Sequence, residues 1–200
     1  MPPEFRSRVA SRISKFRAQV HAFTTKTLQR GGARYVRDMH ARMSGPTGPN
    51  SLSARTGAGR RSVRFATVPI ANGMRLEMAA GGNAFYLIVH ENGATIRPRS
   101  AKYLAIPIGA AKTKAGVSRQ SGPRQYPDLK FVIARSGKKL LVRVLPKTKR
   151  QPARIVPMYV LVPVVNIPPR LGFKKTVKEV VRGITTDLKT GFRALAKRAQ

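Results

Sequence analysis

Apolar side chains recur every three to four residues at the start of the chain. Phe5, Val9, Ile13, Phe16, Val20 and Phe23 step by 4, 4, 3, 4 and 3, which gathers them on one stripe of a helix. Arg6, Arg8, Arg12, Lys15 and Arg17 cover the rest of that surface. Gly31-Gly32 interrupts the pattern and Val36, Met39 and Met43 resume it, before Ser44-Gly-Pro-Thr-Gly-Pro-Asn50, a stretch that cannot continue a helix. The spacing predicts an N-terminal amphipathic helix over 1–43, broken or bent near 31–32.

The period then shortens to two. Val63–Val68 and Met74–Met78 flank Asn72-Gly73, the strongest short signal for a hairpin, in which both turn positions take positive φ. A second hairpin is expected over 129–145: Leu129, Phe131 and Ile133 alternate with their neighbours, Ser136-Gly137 turns, and Leu140, Val142 and Val144 return. Lys102–Pro107 reads as a strand between the two. Met158–Ile167 is apolar on both faces and reads as a central or covered strand, with Pro163 marking an edge or a bulge.

Residues 109–127 have no period and many Gly, Ser and Lys, the pattern of a flexible, structureless loop. Pro168-Pro169 reads as the start of a last helix. Its stripe is Phe173, Val177, Val180, Ile184, Leu188, Phe192 and Leu195, with Gly183 and Gly191 as weak points. The fold class expected is α+β: a long N-terminal helix (1–43), a β-rich antiparallel core of hairpins (44–168) and a C-terminal helix (169–200).

Charge changes the picture more than any motif. Of 200 residues, 40 are Lys or Arg and 7 are Asp or Glu, a formal net charge of +33. Concentrated in one small domain, that charge repels itself unless a polyanion or an acidic neighbour is close. The basic residues are spread throughout, ten in 1–43, twenty-one in 44–169 and nine in 170–200, so a basic tail on a neutral domain is the wrong picture. No segment has the 18 or more apolar residues that span a bilayer, and the N-terminus lacks the apolar core of a secretory signal. No membrane partner is expected. Without cysteine there is no disulfide framework, thiolate nucleophile or thiolate metal site.

Catalytic parts are scarce. His21, His40 and His90 are far apart in sequence, and only His90-Glu91 sets a carboxylate beside an imidazole. Seven acids leave little material for paired-carboxylate chemistry. Arg55-Thr-Gly-Ala-Gly-Arg60 lacks the third glycine of a dinucleotide fingerprint and the Gly-Lys-Ser/Thr of a phosphate loop. No enzyme, cofactor or metal is expected. No base-reading module is visible either, so any nucleic-acid contact would be to phosphates and blind to sequence.

Four segments in order resemble a known family. Leu52-Ser-Ala-Arg-Thr-Gly-Ala-Gly-Arg-Arg-Ser-Val63 is similar to an RTG-x-L-x-x-S segment, and Phe85-Tyr-Leu-Ile-Val-His-Glu-Asn-Gly-Ala-Thr-Ile96 to Y-A-x-x-x-E-x-G. Arg97–Pro107 resembles the I-x-P-K-x-A-K-x-L-x-F-P strand, and Tyr159–Arg170 resembles L-V-x-x-V-x-I-P-x-R-P. These segments mark the neck, tail-completion and minor tail proteins of tailed bacteriophages, the HK97-like and Mu G-like virion morphogenesis family. The resemblance covers about residues 50–185. Gly59 stands where leucine is usual, and Leu171 where proline is common.

The resemblance implies a structural virion subunit of the neck or tail, assembled in the host cytoplasm as a homo-oligomeric ring around the DNA channel. Its implied neighbours are portal or adaptor proteins and tail tube or terminator proteins. On that reading Lys112, Lys114, Arg119 and Arg124 face DNA or a partner, and Phe5, Val9, Ile13, Phe16, Arg55 and Arg170 form subunit contacts. Arg55-Thr56-Gly57 is expected as a turn into the first strand, and Tyr86–Gly93 as a short helix closed by Gly93 in the left-handed region. Ile167–Arg170 is expected as a strand-to-helix corner. The alternative class is a basic nucleic-acid-binding architectural or ribosome-associated protein.

Overall fold

The computed structural model describes residues 3–45, 51–53, 55–82, 84–147 and 152–199. Mixed α and β structure is confirmed. A long helix α1 (Pro3–Arg42) is followed by a short helix α2 (Ala58–Ser62) and a hairpin of β1 (Arg64–Ile70) and β2 (Gly73–Ala79). Next come α3 (Tyr86–Asn92), β3 (Ala94–Ile96), β4 (Leu104–Pro107), β5 (Leu129–Ile133), β6 (Lys139–Leu145), β7 (Arg154–Val162), β8 (Val165–Ile167) and α4 (Phe173–Ala199).

The chain divides into two compact units, Met1–Glu91 with Arg170–Gln200, and Asn92–Pro169. This differs from the three-part reading of 1–43, 44–168 and 169–200, because the first hairpin belongs with the helices. Its apolar row, Phe65 and Thr67 opposite Met78 and Leu76, needs cover, and α1 supplies it. The core of this first unit holds Leu28, Tyr35, Met39, Met43, Val63, Leu87, Val180 and Ile184, with Phe65, Met74, Leu76 and Met78 packed against it.

Helix α1 runs unbroken through Gly31-Gly32, where the sequence suggested a break or bend. The glycines are there for close approach: a Cβ on Gly31 would overlap Ile184 of α4, and one on Gly32 would overlap the ring of Phe65. Helices α1 and α4 lie antiparallel, since Phe23 meets Phe192 edge-on at 5.7 Å while Tyr35 meets Phe173 at 5.9 Å. Gly191, too, faces an aromatic ring, that of Phe23. Three glycines that each weaken a helix in isolation therefore sit where the core needs room.

The first hairpin forms with a different turn from the one expected. Ile70 pairs with Gly73, so the two loop residues are Ala71 and Asn72. Asn72 keeps a negative φ and Gly73 alone takes the unusual one, φ 151°.

In the second unit β4-β7-β6-β5 form one antiparallel sheet and β3-β8 a two-stranded one. The long apolar run ends as a sheet strand at Val162; Pro163 and Val164 carry the chain out of one sheet and into the next. A bulge between Leu141 and Val142 shifts the register of β6 against β7. Among the described residues, no helix is long and apolar enough to cross a membrane.

Candidate functional site

His90, Glu91 and residues 170–174 build a polar joint within the first unit. Helix α3 closes at Gly93, whose φ of 75° is the left-handed ending expected of it. Just before it, the His90 carbonyl accepts from the backbone N–H groups of Arg170 (2.6 Å) and Leu171 (3.0 Å). The Glu91 carboxylate accepts from the N–H groups of Phe173 (2.7 Å) and Lys174 (3.1 Å), the first two residues of α4. A helix starts with four N–H groups lacking partners, and negative charge is favoured there. Glu91 supplies both from a distant part of the chain.

The start of α4 is corrected accordingly, from 169 to Phe173. Pro168-Pro169 is not a helical first turn. Leu171 is buried, Gly172 takes φ 67°, and its carbonyl accepts from Thr176 N–H at 3.0 Å. The chain between Ile167 and Phe173 is thus not helical, and its Arg170 and Leu171 are held by the His90 carbonyl.

Arg170, for which a subunit contact is expected, lies beside His90, and its Nε and His90 Nδ1 are buried without hydrogen-bond partners. Burial, and then the neighbouring guanidinium, hold the His90 imidazole below its ordinary pKa. The unfolded chain therefore takes up the proton first as pH falls, so stability is full above about 6.5 and is lost as pH drops from there toward the depressed folded value. The unfolding midpoint should fall between about pH 7.5 and about pH 5.5. His90→Gln should remove part of that slope. An unchanged slope in denaturant titrations would contradict the assignment.

The 109–127 segment has local structure that the sequence did not suggest. Gly109–Ala111 and Pro123–Gln125 form single 3-10 turns, and Lys112 pairs with Ser118 in an antiparallel bridge. Arg119 N–H donates to the Ala111 carbonyl at 2.9 Å, and its Nε donates to the Lys112 carbonyl at 3.0 Å. Ala111 is fully buried, and the Tyr126 ring meets Tyr159 of β7 edge-on at 6.1 Å. The segment packs on the sheet through Ala111 and Tyr126, which meet Met158 and Tyr159 of β7, and its own backbone bonds close its turns.

The candidate cations divide within this segment. Lys112 is half-buried in the bridge, while Lys114, Arg119 and Arg124 are exposed. Arg119 is oriented by its own bond to the backbone; Lys114 stands at the tip of the 113–117 turn. Elsewhere, Arg55 is exposed in the bend before α2. Val9 and Ile13 are exposed on α1 and Phe16 is half-buried. The Phe5 side chain lies outside the described residues.

Ion pairs are few against this charge. Among the described residues they include Arg34 and Arg37 with Asp38 (3.6 Å each), Arg75 with Glu77 (2.8 Å) and Arg143 with Asp128. All eight basic residues of α4 are exposed. Among the described residues, no group of three or more His, Asp or Glu comes together as a metal site would need.

Sequence reasoning missed Glu91 as a helix cap and the Lys139–Tyr103 pair, whose Nζ donates to the phenol oxygen at 2.6 Å and stands 4.5 Å from the ring centre. The Tyr86-to-Gly93 motif contains the one signal for Glu91, but its partners lie 82 and 83 residues away. No family model, curated protein or solved structure matches this chain.

Proposed function

We propose that the chain is a non-enzymatic structural subunit of a tailed-phage neck or tail, assembled as a ring around the channel through which DNA passes. The observation that carries the reading is the exposed cationic surface: a formal charge of +33, with basic side chains outward on α1, on α4 and on the 109–127 segment. Such a surface is stable when a polyanion shares it, and a DNA conduit supplies one.

The segments that carry the family resemblance add support through their structural work. Tyr86–Asn92 forms the helix whose Glu91 caps α4, and the Arg170 that ends the last segment is held by His90. Tail tube, terminator, portal and adaptor proteins would be the neighbours.

Negative-stain images of the purified protein, alone and with short duplex DNA, test the assembly. Rings with a central hole are expected. Single small particles in both samples at every concentration would contradict the ring and favour a basic architectural protein that coats nucleic acid as a monomer.

A further inference from the structure

We propose that the N-terminal half of α1 is a seat for an acidic amphipathic helix of a partner protein. The inference stands on the first unit alone and holds whether or not the chain forms a ring.

The apolar stripe of α1 is a single seam that α4 covers only in part. From Phe23 onward it is filled: Phe23 by Phe192, Gly31 by Ile184, Tyr35 by Phe173. Because the helices are antiparallel, the C-terminal end of α4 points toward the N-terminus of α1. Helix α4 ends at Ala199, seven residues beyond Phe192, or about 10 Å. That reach brings it level with Phe16, which is half-buried. Beyond it, Ile13 is 51% exposed and Val9 39%. The seam therefore continues past the helix that fills it.

Its geometry selects a helix as occupant. Val9, Ile13, Phe16, Val20 and Phe23 alternate steps of 4 and 3, the repeat that seats one helix along another. The strip is narrow, two positions in seven, whereas a helix lying on a membrane surface presents a broad apolar face.

Charge selects the sign of the partner. No acidic residue lies between Glu4 and Asp38, while nine basic residues do. Arg12 and Arg17 take the two positions that flank the Ile13–Phe16 pair, where interhelical ion pairs form, and both are exposed. A second copy of α1 would bring the same cations against these and be repelled. Glu or Asp on the flanks of the incoming helix would instead pair with them, which turns the expected subunit contact at Val9, Ile13 and Phe16 into a contact with an acidic partner.

The probe is a synthetic helix of three heptads with Leu at the seam positions and Glu on the flanks, compared with a scrambled peptide of the same composition. Fluorescence anisotropy against the full chain should show the heptad peptide binding at least tenfold more tightly than the scrambled one. Val9→Ser with Ile13→Ser should abolish that preference while leaving the thermal unfolding midpoint unchanged. Equal binding of the two peptides, or an unaffected preference in the double variant, would overturn the proposal. So would a lowered unfolding midpoint, which would place these side chains in the core. Binding to phosphatidylserine vesicles without peptide selectivity would assign the helix to a membrane instead.

Discussion

Tyr35→Ala is expected to destabilise the first unit by about 3–5 kcal/mol, the range for deleting a buried aromatic ring. Tyr35 has no exposed surface and packs edge-on against Phe173 at 5.9 Å. Its hydroxyl donates to the Ala79 carbonyl at 2.9 Å, tying α1 to the end of the β1–β2 hairpin. Burial pushes the phenol well above its ordinary pKa, so it stays a donor throughout the accessible pH range. One side chain thus links α1, α4 and the hairpin.

Tyr35→Phe separates the two contributions. It keeps the ring and leaves the Ala79 carbonyl without its donor, which should cost about 1–3 kcal/mol. Denaturant titration followed by circular dichroism reads both variants. A loss below about 1 kcal/mol for the alanine variant would mean that the three elements are held together elsewhere.

Local periodicity was a sound guide wherever an element buries one face against its neighbours. The stripes of α1 and α4 and the second hairpin at Ser136-Gly137 were legible in that way, while the left-handed close at Gly93 followed from the motif that carries the family resemblance. What depends on distant partners was not. Gly31-Gly32 reads as a break because its reason, the side chains of Ile184 and Phe65, lies on other elements. Pro168-Pro169 reads as a helix start because nothing local shows that Glu91 holds the first N–H groups of α4 four residues later.

The 109–127 segment reads as unstructured because turns of small residues leave no period, although internal backbone bonds order it and Ala111 and Tyr126 pack it on the sheet. The cations of the candidate surface were legible as residues but not as geometry. Lys112 is half-buried, and Arg170 lies inside the α3–α4 joint.

Affinity for duplex DNA is expected to fall by about 10³–10⁵ between 50 and 200 mM salt if six to ten phosphates are neutralised. The loss comes from counterions that the lysines and arginines displace and that added salt restores. Phosphate contacts carry no sequence information, so two unrelated duplexes should give the same affinity and the same slope. The slope should be near −0.9 per phosphate neutralised. Replacing Lys114, Arg119 and Arg124 together with alanine should make it shallower by up to about three units, since these are the exposed cations of the 109–127 segment.

In a ring around DNA, this exposed charge meets a phosphate backbone. The most direct measurement is a titration of the wild-type chain and the triple variant on two duplexes of unrelated sequence, at several salt concentrations. Equal slopes on the two duplexes, with a shallower slope for the variant, are predicted. A strong preference for one duplex, or a slope near zero for the wild type, would contradict it.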